Sequence, residues 1–315
     1  MTDQELALHA PILGDFPRWE GIVPAGYCIN WVGAMTNLEM VDWDDFEIWH
    51  TTRHETPPLP VFDEEYFEWL DVLESVRSAQ DRYVMIELGA GYGRWITNAF
   101  GALQRYCQHT SQEISSQFIA VEPEPTHYRW LKQTLAENEM LPKCKLYKNA
   151  ITDHDNYVWF TNGQSKKWYG QSIIDNPSLS WKTRLANRAK HFYSRWFHSD
   201  SEDHYSVQIP AVSLTTVLKP LEVVDLIDLD VQGSELKILS SSPELLNEKV
   251  KRVHIGTHGR YIEEGLRKFF HKQGWENIHD YSCHEEQETP YGVINFVDGV
   301  QSWVNPRLVA AQKAA

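Results

Sequence analysis

The sequence predicts a doubly wound α/β fold, mostly parallel, with an antiparallel hairpin at its C-terminal edge. Three observations carry this. The β-branched runs Tyr83-Val84-Met85-Ile86, Phe118-Ile119-Ala120-Val121 and Val223-Val224-Asp225-Leu226-Ile227 alternate with helical segments. The runs are nearly continuous in apolar residues, as strands covered on both faces require. Three glycines follow the first run at Gly89, Gly91 and Gly93, where a strand turns into a helix and its backbone can approach a ligand.

The elements follow in chain order. Residues 1–62 are punctuated by Pro and Gly and carry Trp19, Trp31, Trp43 and Trp49, which indicates a wrapped, aromatic-rich extension with short strands. From Asp63, a candidate N-cap, the apolar residues Phe67, Leu70, Leu73 and Val76 recur at helical spacing. Further strands are expected over 145–148, 206–212 and 250–255, and an edge hairpin from 275–281 and 293–297. This gives one α/β domain over 63–300, interrupted by an insertion at 157–205 and followed by a tail at 301–315. Fixed-period repeats are not visible, which sets solenoids aside.

Composition narrows the function classes. The 315 residues carry 29 Lys and Arg against 44 Asp and Glu, a net charge of −15, which argues against nucleic-acid coating. Apolar runs fall short of the roughly 18 residues of a membrane span. The start Met1-Thr2-Asp3-Gln4-Glu5 lacks a basic leader, so a cytoplasmic location without membrane attachment is expected. Cys28, Cys107, Cys144 and Cys283 are widely spaced and signal neither a disulfide framework nor a thiolate zinc site.

The segment Glu87-Leu88-Gly89-Ala90-Gly91-Tyr92-Gly93-Arg94-Trp95 is the candidate cofactor loop. The second strand ends at Glu122-Pro123, which puts a carboxylate where it can accept hydrogen bonds from both ribose hydroxyls. Glu122 lies 33 residues beyond Gly89, against about 20 in a dinucleotide fingerprint, so the intervening helix must be long. Glu87 stands immediately before the glycines, where a pyrophosphate would need the helix N-terminus free of negative charge. A sulfonium cofactor without phosphate tolerates it, so S-adenosylmethionine is favoured over a nicotinamide dinucleotide. The third strand leads into Asn149, Ala150 and Asp153, candidates for the adenine side or for a simple turn.

These residues resemble the FkbM-type methyltransferases, a branch of the Rossmann-like S-adenosylmethionine enzymes. The glycine loop matches their first motif and Val121-Glu122-Pro123 their ribose motif. Asp225-Leu226-Ile227-Asp228-Leu229-Asp230-Val231-Gln232-Gly233-Ser234-Glu235 matches their most distinctive one, and the likeness covers roughly 83–260. It implies methyl transfer, commonly to a hydroxyl of a sugar, lipid or natural product, with some relatives acting on a peptide amide nitrogen. One position departs: the family usually carries a Glu shortly before His258, and here that position is Gly256.

On the acceptor side, Asp230 ends the fourth strand and His258 follows the fifth, so both should face the cleft. Methyl transfer is an in-line displacement in which the protein positions the nucleophile and removes its proton. His258, oriented by Asp230, is the candidate general base; the plainer alternative is a loop cap and a structural imidazole. Glu235 either contacts the acceptor or complements a helix N-terminus. A metal held by Asp228, Asp230 and His258 is disfavoured by the core character of Leu229 and Val231, so no metal is expected.

Between Gln164 and His198 the insertion carries seven Lys and Arg against one Asp. Arg184, Arg188 and Arg195 share one helical stripe there, either a solvated surface or a cap recruiting an anionic or carboxylate-bearing acceptor. The expected function is methylation of a hydroxyl on a small molecule, glycan or natural product. Amide N-methylation of a peptide is the alternative, ahead of a nicotinamide-dependent oxidoreductase or a non-catalytic cofactor-binding module.

Overall fold

A computed structural model describes residues 9–41, 50–162, 173–174 and 205–314. Its core is a seven-stranded sheet: β1 (Arg82–Leu88), β2 (Ser115–Val121), β3 (Cys144–Tyr147), β4 (Leu226–Leu229), β5 (Arg252–Thr257), β6 (Glu276–Tyr281) and β7 (Gly299–Val304). The spatial order is β3-β2-β1-β4-β5-β7-β6. The first five strands run parallel, and β7 is antiparallel to both β5 and β6. The fold class is therefore the one expected. The central strands are apolar because both faces are covered: Tyr83 and Met85 of β1 join one core cluster, and Val84, Ile86 and Leu88 join the other.

Helices α1 (Glu65–Arg77), α2 (Arg94–Thr110) and α3 (Pro125–Glu137) follow the N-terminal extension, β1 and β2 respectively. The 17 residues of α2 account for the long interval between Gly89 and Glu122. The N-cap position of α1 is Glu64, one residue beyond the Asp63 expected, and Tyr66 N donates to the Asp63 backbone carbonyl at 3.2 Å. On the opposite side lie α4 (Leu214–Leu218), α5 (Glu235–Ser240), α6 (Pro243–Lys249) and α7 (Arg260–Gln273).

Three expectations are corrected by the pairing. Residues 293–297 do not form a hairpin with 275–281. Gly292–Phe296 pairs with Glu285–Thr289 in a separate ribbon, while β6 pairs with β7. The sheet consequently runs to Val304, across the 300/301 division. The strand expected at 206–212 is Tyr205–Ser213, and it lies in a second sheet with Ala150–Thr152 and Tyr157–Asn162 rather than in the central one. Tyr157–Asn162 and Tyr205–Ser213, which pair antiparallel, flank the insertion, whose residues Arg184, Arg188 and Arg195 lie outside the described residues.

The N-terminal extension does form short strands, Gly21–Val23 with Arg53–Glu55 and Tyr27–Ile29 with Met35–Asn37. Its Trp31 is fully buried and packs on Trp69 of α1, with ring centroids 5.3 Å apart. Trp31 is a core residue.

One band of the sheet is polar. Glu87, Asp228, His254 and Ser302 stand at paired register positions on β1, β4, β5 and β7, and all are buried. Asp71 of α1 comes down onto this row: its carboxylate accepts from Arg252 Nη1 at 2.6 Å and from the Ser302 hydroxyl, and lies 2.7 Å from His254 Nδ1. Burial alone would raise the Asp71 pKa, but the His254 hydrogen bond and the Arg252 charge hold it well below the usual carboxylate range.

Candidate functional site

Two cavities open at the carboxyl ends of the parallel strands. The smaller, about 90 Å³, is walled by Glu122, Pro123, His127, Ala150, Ile151 and Phe160. The larger, about 430 Å³, lies over β1, β4 and β5 beneath α1. Gly89, Gly91 and Asp230 line both, so the glycine loop and the end of β4 are where the cavities meet.

The loop's geometry requires its glycines. Gly89 has φ +85°, and a Cβ there would fall 1.8 Å from the Asp230 carbonyl oxygen. Only hydrogen fits where the two loops touch. Gly91 N donates to Glu122 Oε2 at 2.8 Å, and Glu124 N donates to Oε1 at 2.7 Å. Burial pushes the Glu122 carboxyl up to about 8, against the opposing pull of these amides.

Glu87 turns inward. Its two oxygens accept from Trp95 N at 3.2 Å and Ile96 N at 3.1 Å, occupying the free amides at the start of α2 where a phosphate would otherwise sit. Burial, and then the Asp228 charge, raise its pKa well above the ordinary value. Ala90 and Trp95 line the larger cavity with it, whereas Gly93 lines neither and serves as the left-handed residue preceding α2. Asn149 and Asp153 line neither cavity. Asp153 instead engages His154 and the Thr152 hydroxyl, with Lys237 Nζ 3.7 Å away.

Asp230 and His258 are brought together, with Glu235 and Asp298 beside the imidazole. His258 Nδ1 lies 2.7 Å from Glu235 Oε1, and its Nε2 faces Asp230 Oδ1 at 3.4 Å and Asp298 Oδ1 at 3.6 Å. Burial alone would depress the imidazole. The Glu235 hydrogen bond and the charges of Asp230, Glu235 and Asp298 instead carry it to about 9. An imidazolium at neutral pH does not accept a proton. Glu235 is fully buried, also accepts from Gly233 N at 2.9 Å, lines neither cavity, and holds the His258 ring through Nδ1.

The side chain of Asp230 is 55% exposed and lines the larger cavity. Burial of its surroundings raises its pKa, while the His258 charge lowers it. At Gly256 a Cβ would meet Asp230 at 3.7 Å, ordinary contact, so this position adds room to the cavity. Asp298, on the turn before β7, supplies a carboxylate to the same space.

Several residues of the site were not foreseen: Glu68, His254 and Asp298 line the larger cavity, together with Arg94 of the glycine-loop segment. Arg94 is tied to Glu65 and stacks over the Trp95 ring at 5.2 Å. The only sequence signal was a charged residue inside an otherwise apolar element, as in Leu226-Ile227-Asp228-Leu229, Val253-His254-Ile255 and the inner face of α1. The trio weighed for a metal separates: Asp230 goes with His258, while Asp228 goes with Glu68 and His254. Burial raises Asp228 to about 6 and Glu68 well above the ordinary carboxylate value, the two sharing a hydrogen bond.

The sheet order, the glycine loop and the acid at the tip of β2 define a Rossmann-like α/β fold whose two cavities meet at the topological switch between β1 and β4. More particularly, the chain belongs to the FkbM methyltransferases: the family model for the methyltransferase FkbM domain matches residues 87–286. A protein of Jannaschia sp. (strain CCS1), named as an inferred methyltransferase, is 29% identical over 220 residues, covering 66% of this chain and 67% of its own. Among solved structures, methyltransferase FkbM from Methylobacillus flagellatus KT aligns with a TM-score of 0.41 at 11% identity over 71% of this chain, which spans 44% of that one. The N-terminal domain of human METTL16, solved with SAH, aligns with a TM-score of 0.37 at 12% identity, covering 78% of this chain and 72% of its own.

Proposed function

We propose that this methyltransferase uses S-adenosylmethionine and methylates a hydroxyl of a small molecule, glycan or natural product. The observation that carries the reading is the meeting of the two cavities at Gly89, Gly91 and Asp230. A cofactor lying across that junction places its nucleoside in one cavity and its reactive end in the other.

The donor set suits this cofactor. Glu122 accepts hydrogen bonds from a ribose diol, and Ile151, Phe160 and Val231 offer apolar walls to an adenine. With Glu87 on the α2 amides, the loop has no vacancy for a pyrophosphate, which disfavours a nicotinamide dinucleotide. The carboxylates lining the larger cavity favour a sulfonium and an α-ammonium group over an anion. When bound, S-adenosylmethionine supplies an electrophilic methyl group. The chain's own part is to align the acceptor oxygen and to take its proton. Asp230, exposed at the junction and fixed by Gln232 Nε2 at 3.0 Å and by the His258 imidazolium, is the group that accepts the proton. The larger cavity is lined by Glu64, Glu65, Glu68, Glu87, Asp228, Asp230 and Asp298 with Arg94 as its guanidinium, so the reacting end of the acceptor is neutral or cationic and not anionic.

The test is turnover of S-adenosylmethionine with a panel of hydroxylated acceptors, read as S-adenosylhomocysteine release, in wild type and Asp230→Asn. Loss of kcat by 10²-fold or more with unchanged cofactor affinity is expected. Full activity in Asp230→Asn would remove Asp230 as the base, and binding of NAD in place of S-adenosylmethionine would overturn the cofactor assignment.

A further inference from the structure

We propose that Glu68, Asp228 and His254 form a binding site for a divalent first-row cation of the Mn²⁺ type on the floor of the larger cavity. One potential ligand atom from each lies within 4.8 Å of the others, and all three side chains line the cavity. At metal–ligand distances of about 2.1 Å, two ligands on one ion stand roughly 3.0 Å apart in cis and 4.2 Å in trans. The existing spacing needs only a small contraction. Asp228 and His254 are fixed directly opposite each other on β4 and β5, and Glu68 comes from α1, so two ligands are rigid and the third sits on a packed helix.

A second, independent observation lies behind the cluster. His254 Nδ1 is held 2.7 Å from Asp71 Oδ2, and Asp71 is itself fully buried and fixed by Arg252 and Ser302. With Nδ1–H donated to Asp71, the ring presents Nε2 as an acceptor. A carboxylate on the far nitrogen of a histidine that sits beside two acids is the outer-shell arrangement that orients and strengthens metal-ligating imidazoles. Two carboxylates and one imidazole form a mixed oxygen and nitrogen set, which suits Mn²⁺ or Zn²⁺ better than the all-oxygen preference of Mg²⁺ or Ca²⁺.

Three protein ligands leave coordination positions open toward the cavity. There, on the reading that the acceptor is a hydroxyl, a bound cation would supply Lewis-acid polarisation of the acceptor oxygen, whose proton Asp230 would take. The site itself stands on geometry alone.

The experiment titrates chelator-treated full-length protein with MnCl₂ and no cofactor or acceptor, following free Mn²⁺ by electron paramagnetic resonance. One saturable site with a sub-millimolar Kd is expected. Glu68→Gln, on the cavity side of α1, and His254→Gln each weaken it at least tenfold while circular dichroism is unchanged. Pulsed measurements on bound Mn²⁺ show a ¹⁴N coupling that His254→Gln abolishes. If His254→Gln does not fold, Glu68→Gln and the wild-type ¹⁴N coupling decide the matter. Absence of a saturable site overturns the proposal, as does wild-type affinity in Glu68→Gln or lack of nitrogen coupling. Failure to bind Mn²⁺ together with weakened S-adenosylmethionine binding in Glu68→Gln would make the cluster a seat for the cofactor's ammonium group. Each of these failures leaves the hydroxyl-methylation reading standing, because that reading is tested by turnover in Asp230→Asn.

Discussion

His258 shows how far a side chain's neighbours can redefine its role. Its place after the fifth strand suits a base, yet three carboxylates surround it and hold its proton up to about 9. The linkage has a definite sign. A histidine raised in the folded state contributes stability that is fully present below the unfolded pKa of 6.5 and is lost as pH rises through about 9. The size is on the order of 3 kcal/mol for a group this enclosed. The difference in unfolding free energy between wild type and His258→Gln should therefore be largest near pH 6 and shrink toward pH 9.5, measured by urea denaturation. A difference independent of pH would mean that the imidazole is not charged in the folded protein. Asp298 brings a third carboxylate within 3.6 Å of the imidazole from a turn far away in sequence.

At the scale of elements, the parts that could be read from sequence were those whose pattern is local. Apolar runs fixed β1 and β2, helical spacing fixed α1, and the glycines marked the loop because a left-handed backbone has few other residues to choose from. Pairing partners are not local. Residues 293–297 alternate Ile294 and Phe296 toward the core and read correctly as a strand, but nothing in that alternation says that the partner is Glu285–Thr289 and not β6. The glycine loop gives a test of the contact between β1 and β4. Gly89→Ala would add both the cost of φ +85° and a collision with the Asp230 carbonyl, whereas Gly292→Ala has φ +109° and no neighbour within 4 Å. The first should destabilise by about 3 kcal/mol or more and abolish cofactor binding, the second by about 1 kcal/mol. Equal effects on the denaturation midpoint would show that the two loops do not need to touch.

Across the whole molecule, the site was half legible for a related reason. The glycine-loop wall of the two cavities lies within one continuous β1–α2–β2 stretch, so Glu87, Gly89, Gly91, Glu122 and Pro123 could be grouped from the sequence. The floor of the larger cavity is assembled from α1, β4 and β5, and Glu68 and His254 are 186 positions apart. Only the packing of α1 onto the sheet brings them together, and α1 is in turn covered by the N-terminal extension. Ile12, Leu13, Phe16, Trp31, Val32 and Leu59 are all at most 6% exposed and belong to the same core cluster as Tyr66, Trp69 and Leu70. At about 1.5–3 kcal/mol for each large side chain, their burial is worth on the order of 10 kcal/mol, comparable to the whole net stability of a domain. Polar ties add to it: Asn138 Oδ1 accepts from Met35 N at 2.8 Å, and Tyr27 donates to Glu137 at 2.9 Å. The extension is therefore part of the catalytic domain's core, not an appended recognition segment. A chain comprising residues 63–315 should lose its cooperative thermal transition and bind the hydrophobic dye ANS. A cooperative transition within a few degrees of the full-length protein would instead show that α1 holds the cavity floor in place without it.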